Sequence, residues 1–249
     1  MVTLAGLTLP ALAFAMAVAL VAAFVRGLAG FGMAILLVPL LGLVVLPTDA
    51  VVVSNMLGLM IGLVGVRRIW GEGESSSIVP IALLAMLATP LGLVLLEATP
   101  PEIARLVIAA VGIGAFVIVL LPMRHDHVPS RVETGATGLA AGVLTGFAGM
   151  PGPPVVPYYV RRPIPAALAR ASMLSVFLAT SLASTVAALF LHLAHARHAL
   201  LAGLLLGPVI LGNAIGGHAF GRISDRAWRI LVGLLLGATA LAALVRLLD

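Results

Sequence analysis

Twice in this chain an apolar run stops at a cluster of glycine and proline, and a short apolar run resumes beyond it. The first interruption is Gly27-Leu28-Ala29-Gly30-Phe31-Gly32; the second is Gly146-Phe147-Ala148-Gly149-Met150-Pro151-Gly152-Pro153-Pro154. No helix runs smoothly through either, because glycine weakens a helix and proline removes a donor and clashes with the preceding turn. Short runs at 33–46, 134–147 and 153–160 flank these places. Seven longer runs, at 8–26, 50–66, 78–96, 102–122, 166–191, 199–219 and 228–248, approach the roughly 20 residues that a spanning helix needs. Hydrophobic residues make 62% of the chain and charged residues 9%, against about 45–50% and 25% in soluble domains. The fold class is therefore an all-α polytopic membrane protein.

Other compositional features narrow the chemistry. Cysteine is absent, which excludes disulfides, thiolate metal sites and cysteine nucleophiles. All 14 basic side chains are arginine. No basic cluster exceeds two adjacent arginines, so the net charge of +5 reads as membrane topology signalling, with the lipid bilayer and no nucleic acid as partner. The first apolar run has no basic residue before it and reads as a retained membrane helix rather than a signal peptide.

The two interruptions are related. Gly27, Ala29 and Gly30 match Gly146, Ala148 and Gly149, Pro39 and Pro157 follow at similar distances, and Met56 matches Met173. Each half thus reads as a helix, a break, a short helix and three full spans, with a first repeat at 1–123, a linker at 124–131 and a second repeat at 132–249. A helix–break–short-helix unit returns to its starting side, and three further spans make the crossings odd, so the second repeat is inverted. On this reading ten arginines (67, 68, 124, 131, 161, 162, 170, 222, 226 and 229) lie on the linker's side and three (105, 197 and 246) on the other. Arginine excess marks the cytoplasm, which puts the linker inside and both termini outside, in a bacterial-type inner membrane.

Inverted repeats with helices interrupted near mid-membrane are the architecture of secondary transporters. Unpaired backbone in a bilayer costs several kcal/mol per group unless protein, water or ligand satisfies it. Short helices beginning at the breaks would aim free N–H groups and about half a positive charge at a shared cavity, which suits an anion. Arg26 stands beside the first break, deep in an apolar run, where a cation costs about 2.5–3.5 kcal/mol on insertion scales. These features mark Arg26, Gly27, Gly30, Phe31 and Gly32 as candidate substrate-binding residues. At the second break Gly149, Met150 and Gly152 can donate, whereas Pro153 and Pro154 suit the first turn of a helix; more binding is expected at the first break.

The pattern Gly27-x2-Gly30-x-Gly32-x6-Pro39, its weaker second copy from Gly146 to Pro157 and the whole-chain duplication resemble the TauE/SafE family of sulfite exporters and sulfonate uptake permeases. The resemblance implies transport of small sulfur-containing anions such as sulfite or organosulfonates, with no cofactor and no catalytic residue. At Pro151, Pro153 and Pro154 the chain departs from the family's glycine-richer second loop.

Further polar residues lie within the spans. Asn55, with Ser54 and Asp49, lies early in one span, and Arg170, Ser172 and Ser175 occupy the corresponding place in the second half. Asn55, Arg170 and Ser172 are candidate cavity residues; Asp49 also suits a helix cap, and Arg170 also suits snorkelling to the interface. Tyr158 could cover the cavity or sit at the interface. Asn213 and His218, among glycines, read as a packing face, as does Gly138-x3-Gly142-x3-Gly146. His192, His195 and His198, with no carboxylate close by in the sequence, read as an outer loop rather than a metal site. The alternatives to a permease are a non-transporting scaffold or assembly subunit and, more remotely, an intramembrane enzyme; no Gly-x-Ser-x-Gly or His-Glu-x2-His motif is present.

Overall fold

The computed structural model describes residues 3–69, 72–120 and 128–219. A two-residue hairpin, β1 (Thr3–Leu4) with β2 (Leu7–Thr8), precedes nine helices among the described residues. They are α1 (Leu9–Ala29), α2 (Met33–Leu41), α3 (Pro47–Ile69), α4 (Ser75–Glu97), α5 (Pro101–Leu120), α6 (Arg131–Ala148), α7 (Gly152–Val160), α8 (Ala166–Phe190) and α9 (Ala196–Ala219). Five of them, α1, α3, α4, α8 and α9, are long and apolar enough to cross a membrane. The expected span at 228–248 and half of the linker, 124–127, lie outside the described residues.

The expected helices are present with shifted ends. α2 stops at Leu41 rather than 46, because Gly42 donates to the Val38 carbonyl at 2.9 Å and the chain turns there. α6 starts earlier than 134 because Ser130 caps it, its Oγ accepting the Glu133 N–H at 3.1 Å. Ser130 and Glu133 stand at the spacing of a capping box, a start signal within the sequence itself.

Where helices pack most closely, small side chains face the contact. On α4 the face carrying Leu83, Leu87, Leu91 and Leu95 is exposed, whereas Ala85, Ala88, Thr89 and Gly92 are buried. Lipid tails are as apolar as leucine, so large side chains gain nothing by turning inward, while small ones let backbones approach. The closest approaches are α4 on α6 and α1 on α9. A methyl built at Gly142 would strike the Ala85 carbonyl oxygen, one at Gly146 that of Thr89, and one at Gly216 that of Phe24. The glycine seam read from Gly138, Gly142 and Gly146 is thus the α6 face against α4. The structure also packs α3 on α8, α4 on α8 and α3 on α9, with α2 against α1, α3 and α5 and α7 against α6, α8 and α5. Exchanging α1, α2, α3 and α4 with α6, α7, α8 and α9 maps α1–α9 onto α6–α4 and α3–α9 onto α8–α4.

Two buried threonines bond back within their own helices. Thr89 donates to the Ala85 carbonyl at 2.7 Å and Thr145 to the Ala141 carbonyl at 2.6 Å, the usual i−4 arrangement for threonine in a helix.

Candidate functional site

Both breaks are built on left-handed glycines. α1 ends where Gly30, at φ 83°, donates to the Arg26 carbonyl at 2.7 Å, and Gly32, at φ 96°, starts α2. Only glycine adopts such angles without steric cost. α6 ends the same way, with Gly149 at φ 69° donating to the Thr145 carbonyl at 2.9 Å and Met150 to the Leu144 carbonyl at 3.1 Å. These bonds satisfy the last carbonyls of the outgoing helices and leave the first N–H groups of α2 and α7 to face whatever lies between them.

A cavity of about 50 Å³ lies there. At about 10–15 Å³ per water it holds three to five waters, or one small anion in their place. Gly32, Met33, Ala34 and Ile35 bring the start of α2 to it, and Gly149, Met150, Pro151 and Gly152 bring the start of α7. Arg26 and Phe31 line it from the first break, Ser54, Asn55 and Gly58 from α3, and Phe177 and Ser181 from α8. Among the described residues Arg26 is the only formally charged one in this lining. The two proline rings at the start of α7 remove donors there, so the α2 end is the better equipped of the two.

Arg26 is held from across the molecule: its Nη1 donates to Asn213 Oδ1 on α9 at 3.0 Å. The contact depends on the α1–α9 seam, where a methyl at Gly27 would meet the Asn213 carbonyl oxygen and the Gly217 nitrogen. Asn213, read from sequence as a packing residue, therefore also orients the cavity's cation. Ser54 is 2% exposed and its Oγ has no hydrogen-bond partner among the described residues.

The remaining candidates stand behind the cavity rather than on it. Arg170 Nη2 donates to the Gly27 carbonyl at 2.7 Å, and its side chain covers Gly30 so closely that a methyl there would lie 2.6 Å from Cγ. It braces the first break from outside. Ser172 Oγ accepts the Glu74 N–H at 3.0 Å at the start of α4. Tyr158 shares a 3.0 Å hydrogen bond with Thr134 and packs edge-on against Tyr159. Phe177, Ser181, Gly58 and the Met33 to Ile35 stretch were not singled out by sequence reasoning; the run of hydroxyl residues along α8, with Ser181 one turn beyond Phe177, was the available signal.

Two polar clusters flank the cavity along the bundle. At one end Arg162 binds both carboxylate oxygens of Glu74, Ser77 donates to Glu74 at 2.6 Å, and Tyr159 shares a 3.1 Å hydrogen bond with Ser77. The Arg162 hydrogen bond, first, holds the Glu74 carboxyl below its usual value against the opposing effect of burial. At the other end Asp49 Oδ1 lies 3.0 Å from Arg197 Nη2 and 2.8 Å from His198 Nε2. His198 is not in a loop as expected: it is 3% exposed in the first turn of α9, and its Nδ1 accepts the His195 N–H at 3.0 Å. Its Nε2 lies between the Asp49 carboxylate and Arg197 Nε, the latter at 3.3 Å, so the ring ties the start of α9 to the start of α3.

Apolar helices of spanning length, two of the chain's helical units broken on glycine, and a small cationic cavity between the breaks define a polytopic membrane protein built around a central site. The family model described as sulfite exporter TauE/SafE matches residues 15–243, and the chain belongs to this family of membrane permeases. No characterised protein and no solved structure matches the chain.

Proposed function

We propose that the protein is a secondary permease for small sulfur-containing anions such as sulfite or organosulfonates. The observation that carries the proposal is the cavity shared by two broken helices, with Arg26 as its single charged side chain among the described residues. The anion sits against Arg26 and the N–H groups at the start of α2, with Phe31, Gly32, Asn55, Gly149, Met150 and Gly152 completing the shell. Gly27 and Gly30 set the backbone of the break, Arg170 braces it, and Ser172 and Tyr158 support the surrounding helices.

Transport proceeds by alternating access between two inverted repeats, 1–123 and 132–249, joined by a cytoplasmic linker at 124–131. The equivalence of α1–α9 with α6–α4 and of α3–α9 with α8–α4 supports this reading, as does the arginine bias. In a bacterial-type inner membrane with both termini outside, a potential negative inside drives an anion outward with about 2.3 kcal/mol per charge per 100 mV, which favours export.

Arg26→Gln tests the site. A unit charge about 4 Å from an anion at an effective dielectric of about 20 contributes roughly 4 kcal/mol, so sulfite flux into proteoliposomes should fall by up to about a thousandfold. The variant keeps a donor for Asn213 and should remain folded by size-exclusion chromatography. Full flux in a folded Arg26→Gln protein would refute the assignment.

A further inference from the structure

Asn55 is the one lining residue whose hydrogen bonding points away from a fully deprotonated anion. It is 3% exposed on α3, and its Nδ2 donates to the Val51 carbonyl at 3.0 Å and to the Thr145 carbonyl at 3.3 Å. Both amide hydrogens are thereby used, and the two carbonyls set the orientation of the group, since a flipped amide would place oxygen against both. Oδ1 is left with no hydrogen-bond partner among the described residues, and the open space that Asn55 borders is the cavity.

The other polar groups there can all donate: the Arg26 guanidinium, the N–H groups at the start of α2, and the hydroxyls of Ser54 and Ser181. The serine hydroxyls can turn to donate or accept, whereas Asn55 Oδ1 can only accept; such a donor-rich lining matches a ligand that is an acceptor everywhere except at one hydrogen. An oxyanion without a hydrogen would set acceptor against acceptor, leaving buried oxygens unpaired. Charge by itself does not exclude either ion, because Arg26 and two helix ends of about half a unit each sum to about two, enough to balance one or two negative charges. Desolvation does lean one way: the cost of taking an ion out of water grows with the square of its charge.

We propose that the permease takes a singly charged oxyanion bearing one O–H donor, which for sulfite means hydrogensulfite rather than the dianion, with Asn55 Oδ1 accepting that hydrogen bond. This rests on the anion-permease reading above, and its test separates the two. Proteoliposomes of the full chain are loaded with equal total sulfite inside and out, the membrane potential is clamped at zero, and a pH difference is imposed. Hydrogensulfite is then more concentrated on the acidic side and the dianion on the alkaline side. Net movement from acid to alkaline, above that of empty liposomes, is the expected result; movement from alkaline to acid would overturn the proposal while leaving a sulfite permease standing. No flux even down an imposed sulfite gradient would overturn both.

Two further measurements address Asn55 itself. Methanesulfonate has the same single charge and no O–H, and should compete with sulfite at acidic pH about tenfold more weakly than hydrogensulfite competes with itself, the worth of about one hydrogen bond; equal competition would overturn the acceptor role. An absolute requirement for sodium would give the Asn55 oxygen to a cation and also overturn it. Asn55→Leu should lower acid-to-alkaline flux about tenfold. Because its amide also ties α3 to α6, the direction of flux through the unaltered protein is the deciding measurement.

Discussion

Gly216 and Gly217 are neighbours on α9 that face opposite surroundings, which makes alanine at each a direct test of how α1 and α9 hold the site. A Cβ at Gly216 would lie 2.9 Å from the Leu28 nitrogen and the Phe24 carbonyl carbon, and closer still to the Phe24 oxygen, whereas one at Gly217 meets nothing within 4 Å among the described residues. Ordinary contact begins at 3.4 Å, so the Leu28 approach alone requires the helices to part by about 0.5 Å, and the oxygen requires more. Overpacking of this kind costs about 1–3 kcal/mol. The Arg26 to Asn213 hydrogen bond, 3.0 Å across the same seam, would stretch to or beyond the limit for a hydrogen bond. Gly216→Ala should therefore lower the unfolding temperature of the detergent-purified protein, at roughly 2–4 °C per kcal/mol for a chain of this size, and should also reduce sulfite flux. Gly217→Ala should be neutral, or stabilising by up to about 1 kcal/mol through helix propensity. Equal unfolding temperatures for the two variants would refute the close seam and, with it, the account of how Arg26 is positioned.

The second break and the Glu74 cluster give two further expectations. Gly149→Ala places a side chain at φ 69° and 3.1 Å from Val38 Cγ2, so it should cost about 1–2 kcal/mol from the left-handed backbone alone, visible as a lower unfolding temperature, and should disturb flux because Met150 and Gly152 follow directly. The Glu74 carboxyl is held below its usual value by Arg162 first; a lowered folded-state value means a contribution present above the unfolded-state value and lost as pH falls through the folded one. Unfolding temperature should drop on acidification through the carboxylate range, and Glu74→Gln should flatten that part of the profile; an unchanged profile would show the ion pair contributes nothing.

Much of the architecture could be read from residues close together in the chain. Each helix satisfies its own backbone inside the bilayer, so α4 at Ser75–Glu97 and α8 at Ala166–Phe190 follow almost directly from their apolar runs. Both breaks are local as well, because a glycine in the left-handed region ends a helix whatever surrounds it. Helix ends were less legible where a short-range signal opposed the hydropathy, as at Gly42, or extended it, as at Ser130.

The site divides differently. Arg26 and the glycines beside it stand out because an arginine and a broken helix are both costly in an apolar setting, and that cost is visible without coordinates. Periodicity could not tell that Ser181 faces the cavity while Ser172 turns to the start of α4, since a helix surrounded by lipid and by other helices carries no polar-versus-apolar contrast to mark its inner face. His198 shows the same limit: three spaced histidines look like a loop until Asp49, 149 positions away in the chain, draws one of them into the bundle.

The sequence by itself determined where the chain can be helical and where it must break, because those are matters of backbone hydrogen bonding settled within a few residues. Tertiary structure alone decided which helices meet and which side chains share a cavity. The contact of Arg26 with Asn213 spans 187 positions, and it exists because glycines on α1 and α9 let two backbones touch. Between apolar helices in an apolar solvent, such close packing is the force that selects one arrangement over the others.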